Sequence, residues 1–208
     1  PHPGAVYHLY NMADWALNVA NVPTVAYGGE LDPQLAASVT IRKQLEALGF
    51  QFESKGLNHY PVATPELVDS STIFLVGPET DHKWHPDSRQ ESDEFLAAAC
   101  ERGRHAPKHI RYVTYSTRYS RCFDFTIDGL ERHHDRTELE AITSEDGRER
   151  EVKTKNITRL LMEYPVDGLA FTLDGQAFPF NPTRARGEKL PSVLFEKDSD
   201  KWKSSYVK

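Results

Sequence analysis

Asp32 and His82 are the residues whose type and setting carry chemistry. Asp32 follows an apolar, β-branched run, Thr24-Val-Ala-Tyr27, ended by Gly28-Gly29. His82 follows a second run, Ile73-Phe-Leu-Val76, ended by Gly77-Pro78. Loops just past the ends of buried strands are where an α/β sheet gathers its functional side chains. An aspartate and a histidine placed there form a base and its orienter. The carboxylate fixes the imidazole tautomer and stabilises the imidazolium, and the ring takes a proton from a nucleophile. Such proton transfer is worth about 10²–10⁴-fold in rate. The blander role for Asp32 is to cap the helix starting at Pro33, which an aspartate at that point suits equally.

Other groups compete for these roles. His59, on the loop after 50–53, is the rival base. His82-x-x-His85, with Asp81 and Asp87 beside it, has donors at metal-like spacing. Structural zinc sites favour cysteine, however, and catalytic ones add a ligand from elsewhere, so the reading assigns no metal and no cofactor. His133-His134 read as solvated surface, and the sequon Asn156-Ile-Thr158, set in a strand, as accidental. A nucleophile is missing. G-x-S-x-G on a strand-to-helix turn is the setting a serine needs. Ser38 lies in a helix, Ser70-Ser71 precede a strand, and Ser116 and Ser120 belong to the β-rich half. Neither Cys100 nor Cys122 follows a strand in a glycine-framed turn. The two cysteines read as reduced and buried, which leaves the compartment open between cytoplasm and periplasm or secretion.

The elements that must position this pair alternate in type. Residues 1–21 show helical spacing at Leu9, Met12, Ala13 and Ala16. Residues 24–27 suit a strand covered on both faces. A helix over 33–48 presents Leu35, Val39, Leu45 and Leu48 and stops at Gly49. A short strand at 50–53 completes a right-handed βαβ unit. Residues 55–71 hold Gly56, Asn58, Pro61 and Pro65, a long loop of the kind that is often functional, with Tyr60 and Val62 packing across the site. Ser88-x-x-Glu91 reads as a capping box opening a helix that buries Phe95, Leu96, Ala99 and Cys100 and ends at Gly103. Beyond Arg104 the pattern changes to short strands at 109–117, 122–127, 137–143, 151–162, 169–173 and 193–195. Asp128-Gly129, Glu145-Asp-Gly147 and Asp174-Gly175 read as their turns. The expected fold is an α/β portion, a parallel sheet with flanking helices over 1–104, followed by a small antiparallel β-sandwich-like domain over 105–208.

A chain of 208 residues with 38% hydrophobic content is long enough to bury a core. No apolar run approaches the ~18 residues of a membrane span, and no signal peptide opens the sequence. The net charge of −6 argues against a nucleic-acid partner, which needs a basic face.

Two stretches carry a family likeness. Asn21-Val-Pro-Thr-Val-Ala-Tyr-Gly-Gly-Glu-Leu-Asp-Pro-Gln34 and Val76-Gly-Pro-Glu-Thr-Asp-His-Lys-Trp-His-Pro-Asp-Ser88 resemble the last third of the α/β-hydrolase domain of prolyl-oligopeptidase-like serine peptidases. His109-Ile-Arg-Tyr-Val-Thr-Tyr115, Ile127-Asp-Gly-Leu130 and Leu173-Asp-Gly-Gln176 are similar to the β-rich tail of large bacterial members. The family triad runs serine, aspartate, histidine in chain order. The resemblance therefore implies Asp32 as acid and His82 as base, with the serine and oxyanion hole preceding Pro1. Residues 55–71 depart from the family spacing as an insertion, which keeps His59 in contention. The expectation is a C-terminal fragment of a peptidase or esterase, inactive alone, whose complete form takes a peptide or ester. Its strand at 24–27 would expose an edge to a missing N-terminal segment or to self-association. The alternative is a non-catalytic binding module whose tail aromatics (Tyr112, Tyr115, Tyr119, Phe178, Phe180, Trp202) meet a partner or glycan. Contact between His82 and Asp32 favours the first; each side chain facing solvent apart favours the second.

Overall fold

The two glycine-ended apolar runs pair with each other. The computed structural model describes residues 7–8, 10–53, 60–61, 72–103, 105–163, 165, 168–180 and 191–207. The chain forms two compact units, Leu9–Pro107 and a second made of Pro1–His8 with Lys108–Lys208.

In the first unit a 3₁₀ helix, Met12–Asn21, buries Ala16, Leu17 and Ala20. Then come β1 (Thr24–Gly29), α1 (Leu35–Ala47), β2 (Tyr60–Pro61), β3 (Thr72–Gly77) and α2 (Pro86–Arg102). β1 and β3 run parallel in register, from Thr24 opposite Thr72 to Gly29 opposite Gly77. Both strands thus end level, and their following loops leave the same edge side by side. β2 lies antiparallel on the far side of β3, giving the order β1-β3-β2.

Four expectations for this unit are corrected. The second parallel strand is β3 and not 50–53, where Phe52 makes an isolated bridge and meets Phe74 edge-on at 5.3 Å. The run Thr72 to Leu75 is buried throughout, whereas 50–53 alternates with Gln51 and Glu53, which a strand covered on both faces cannot accept. Full burial of 24–27 is likewise replaced by half-burial, because β1 is the outer strand of the sheet. Among the described residues it pairs with β3 alone. Beside it an apolar cleft of about 540 Å³ is lined by Tyr10, Met12, Val19, Val25 and Ile41, with Tyr10 and Met12 well exposed. The capping box at Ser88 does not form: α2 begins at Pro86, whose fixed φ suits a first helical position, after His85. Ser88 is fully buried one turn into the helix and its hydroxyl has no partner among the described residues. The helix faces inward through Ser88, Ser92, Phe95 and Ala99, so Leu96 and Cys100 are exposed, against expectation. His59 and Val62 lie outside the described residues.

The second unit contains β4 (His109–Thr114), β5 (Arg121–Cys122), β6 (Phe125–Leu130), β7 (Thr137–Thr143) and β8 (Glu149–Lys155). It continues through β9 (Ile157–Met162), β10 (Ala170–Leu173), β11 (Gln176–Pro179), β12 (Ser192–Asp198) and β13 (Lys201–Val207). Two five-stranded sheets result, ordered β11-β10-β8-β7-β4 and β13-β12-β9-β6-β5. One apolar core draws on both, with Ile110, Leu139 and Phe171 from the first and Phe125, Leu160 and Phe195 from the second. Phe171 and Phe195 stack at 5.2 Å. The pairing is antiparallel except between β8 and β10, which run parallel because β9, between them in sequence, belongs to the other sheet.

The turns at Gly147 and at Asp174-Gly175 fall where Asp-Gly pairs placed them, with positive φ at each glycine and at Asp174. Asp128-Gly129 instead lies inside β6 as a bulge, where a Cβ on Gly129 would come within 2.7 Å of Thr158 Oγ1. The 151–162 run breaks at Asn156 (φ 62°), the residue at which the chain changes sheets. Its side-chain amide donates to Arg132 O and to Thr137 Oγ1, each at 2.8 Å, so the sequon nitrogen is occupied within the fold. Of the six tail aromatics singled out above, Tyr119 is exposed, while Tyr112, Tyr115, Phe178, Phe180 and Trp202 are buried.

Candidate functional site

Equal strand lengths bring the two loops together, and their backbones then bond directly. The Glu30 amide donates to Gly77 O at 2.8 Å and the Leu31 amide to Thr80 O at 2.9 Å. Glu30 also reaches across, its carboxylate accepting from the Glu79 amide at 2.9 Å. Such close approach needs bare glycine. A Cβ on Gly29 would lie 2.2 Å from Asp81 O and 2.3 Å from Thr80 O, and one on Gly77 would lie 2.4 Å from the Tyr27 hydroxyl.

Within this frame His82 Nδ1 stands 2.8 Å from Asp32 Oδ2. The two carboxylate oxygens divide the work. Oδ1 accepts the Gln34 amide at 2.8 Å, turning the chain into α1, while Oδ2 holds the imidazole. The helix-capping role and the orienting role are therefore both filled by Asp32. Its side chain is 9% exposed, against 75% for His82.

The carboxyl of Asp32 is held below the ordinary carboxylate value, first by the Gln34 amide and then by His82. An ionised carboxylate only accepts hydrogen bonds, so Nδ1 carries the proton and Nε2 of the neutral ring is left with a free lone pair. That is the tautomer a general base needs. Because the folded-state value is the lower one, the stabilisation from these contacts is complete above the unfolded-state value of ~3.9 and is lost as pH falls through the folded one. Carbon-13 NMR of the Asp32 carboxyl is expected to show a midpoint below that ordinary value; a midpoint at or above it refutes the contact.

A cleft of about 410 Å³ opens beside the pair, lined by Tyr27, Asp32, Ser38, His82, Lys83 and Trp84. Tyr27 stacks on Trp84 at 4.1 Å, and its hydroxyl donates to Lys83 O at 2.7 Å and accepts the His85 amide at 2.9 Å. Sequence reasoning gives Tyr27 only a strand role, since nothing local marks a hydroxyl whose partners lie 56 and 58 residues on.

Among the described residues, the remaining sequence candidates do not join this pair. His85 precedes the first residue of α2, with its Nδ1 buried and unpartnered among the described residues. No group of three or more His, Cys, Asp or Glu among the described residues is placed to hold a metal ion. His59 lies outside the described residues. Ser38, on α1, donates to Tyr27 O, while Ser88 and Ser92 are buried in α2. Neither cysteine forms a disulfide; Cys100 is exposed on α2 and Cys122 buried in β5. None of these thiols and hydroxyls stands on a strand-to-helix turn. No described helix is long and apolar enough to cross a membrane. Comparison of the chain with protein-family models, with curated proteins and with solved structures finds no match.

Proposed function

We propose that the chain supplies the acid and base of a serine hydrolase, a peptidase or esterase, with Asp32 and His82 in those roles and the nucleophilic serine carried outside these 208 residues. The observation that carries the reading is the 2.8 Å contact between His82 Nδ1 and Asp32 Oδ2, made from two loops on one edge of a parallel strand pair. Acid and base on adjacent parallel strands, with α1 between them in sequence, are what the C-terminal part of an α/β-hydrolase fold would present. The free ring nitrogen then takes the serine proton as the hydroxyl attacks the carbonyl, and returns it to the leaving group from the tetrahedral intermediate, forming an acyl-enzyme.

Among the described residues no strand pairs with the outer side of β1, which supports the same reading. Its residues, Thr24-Val-Ala-Tyr-Gly-Gly29, include none of the charges or prolines that protect an edge strand from pairing. A further strand of the complete protein, or a second copy of this chain, would satisfy it. A purely binding module gives no reason for an imidazole to be held at one nitrogen while the other faces a cleft.

Treatment of the complete gene product with a fluorophosphonate tests the proposal. One serine, on a strand-to-helix turn outside this chain, is expected to be labelled. A complete protein in which no serine is labelled, yet which hydrolyses esters or peptides, overturns the assignment.

A further inference from the structure

The contact between His82 and Asp32 poses a mechanical problem. An imidazole that is 75% exposed gains little from a single hydrogen bond to a carboxylate, because water competes for both partners. Something else must hold the loop that carries it. From Thr80 back to β3 the loop is fixed by Leu31 and Glu30. From Asp81 to His85 the only backbone hydrogen bonds within the loop, or onward into α2, are those of Lys83 N to Asp81 O and of Arg89 N to His85 O, among the described residues. The remaining ties of this stretch to the sheet, again among the described residues, are the dyad itself and the Tyr27 side chain.

Tyr27 is unusually placed to serve. It is the last residue of β1 before the glycine pair, and its ring reaches past Gly77 toward the histidine loop. Gly77 is the residue that clears this path, since a Cβ there would come within 2.4 Å of the Tyr27 hydroxyl and 2.8 Å of His85 Cβ. One hydroxyl then brackets the three residues that follow His82. It donates to the carbonyl of Lys83 and accepts the amide of His85, and Trp84 between them lies flat on the ring at an interplanar angle of 17°. The two bonds use opposite capacities of one oxygen, so they fix the loop in direction as well as position.

We propose that Tyr27 is a positioning residue for His82: its hydroxyl clamps the histidine loop so that Nδ1 stays on Asp32 and Nε2 stays aimed into the cleft. The inference rests on the acid–base reading above. It adds a residue that touches neither acid nor base through its functional atom and acts through the loop backbone.

The test uses the 208-residue chain and needs no turnover. Long-range proton–nitrogen NMR, at a pH where the ring is neutral, reads which His82 nitrogen carries the proton. Wild type is expected to show the Nδ1–H form alone. Tyr27→Phe retains the ring and its stack on Trp84 and is expected to lose that single-tautomer signal and give a mixture. A ring needed only for packing would leave the signal unchanged in the phenylalanine variant. That result overturns the inference while leaving the acid–base reading in place. A wild-type chain without the Nδ1–H form overturns both. Should Tyr27→Phe fail to fold, hydrogen exchange in wild type decides: a His85 amide exchanging as fast as an unprotected loop amide removes the clamp, and a slowed one supports it.

Discussion

Under the proposed acid–base assignment, replacing His82 by alanine in the complete protein is expected to lower kcat by about 10⁶-fold, and replacing Asp32 by asparagine to lower it by about 10⁴-fold. The two losses differ because the residues do different things. Without the imidazole no group accepts the serine proton, and the hydroxyl is a poor nucleophile at neutral pH. In Asp32→Asn the ring remains. Its Nδ1, however, now faces an amide that can donate as well as accept, so the tautomer with a free Nε2 is no longer enforced. The second oxygen complicates this variant in a useful way. If the carbonyl of the introduced amide takes the Gln34 amide now held by Oδ1, its NH₂ is left facing His82, and the turn into α1 survives while catalysis fails. Steady-state kinetics with a chromogenic ester, alongside a thermal melt, separates the two effects. Activity within about tenfold of wild type in both variants would falsify the assignment of acid and base.

The second large effect lies on a residue with no chemistry of its own. Gly29→Ala is expected to destabilise the first unit at the upper end of the ~1–3 kcal/mol typical of overpacking. The added methyl would meet Asp81 O at 2.2 Å and Thr80 O at 2.3 Å, both backbone atoms that cannot rotate away. Relief comes only by parting the two loops, which breaks the Leu31 amide bond to Thr80 O and draws His82 from Asp32. Gly28→Ala is the control. Its methyl meets chiefly the Leu35 side-chain tip at 2.7 Å, which can shift. Urea denaturation ranks the two, and the His82 tautomer signal reports the site. Equal stability for Gly29→Ala and wild type would remove the close-approach argument.

Those glycines explain how much of the site is legible in the sequence. Gly28-Gly29 and Gly77 punctuate two apolar runs, and a strand ended by glycine announces where its loop begins. That is enough to single out Asp32 and His82 as neighbours, because parallel strands of matched length deliver their loops to one place. The capping-box pattern misleads because Ser88-x-x-Glu91 is local, and Pro86, two residues earlier, imposes helical φ first. The run at 50–53 misleads because a window of four residues cannot show which apolar run reaches the middle of the sheet. Tyr27 escapes notice for a further reason: hydroxyl partners far along the chain leave no trace in spacing. In the β-rich unit the turns at Gly147 and Gly175 are visible from their Asp-Gly pairs. The parallel pairing of β8 with β10 is not, because it depends on which sheet β9 joins, and periodicity along a strand is silent on that.

That excursion of β9 bears on how the second unit can be handled, by evolution or by experiment. Neither of its sheets is one continuous length of chain, since β8 and β10 are neighbours only because the strand between them has left for the opposite layer. Cutting the gene anywhere between β5 and β11 therefore strands pieces of both layers on each side of the cut. Such a unit is transferable as a whole and worthless in halves, so a shuffled or truncated relative should carry all ten strands or none of them.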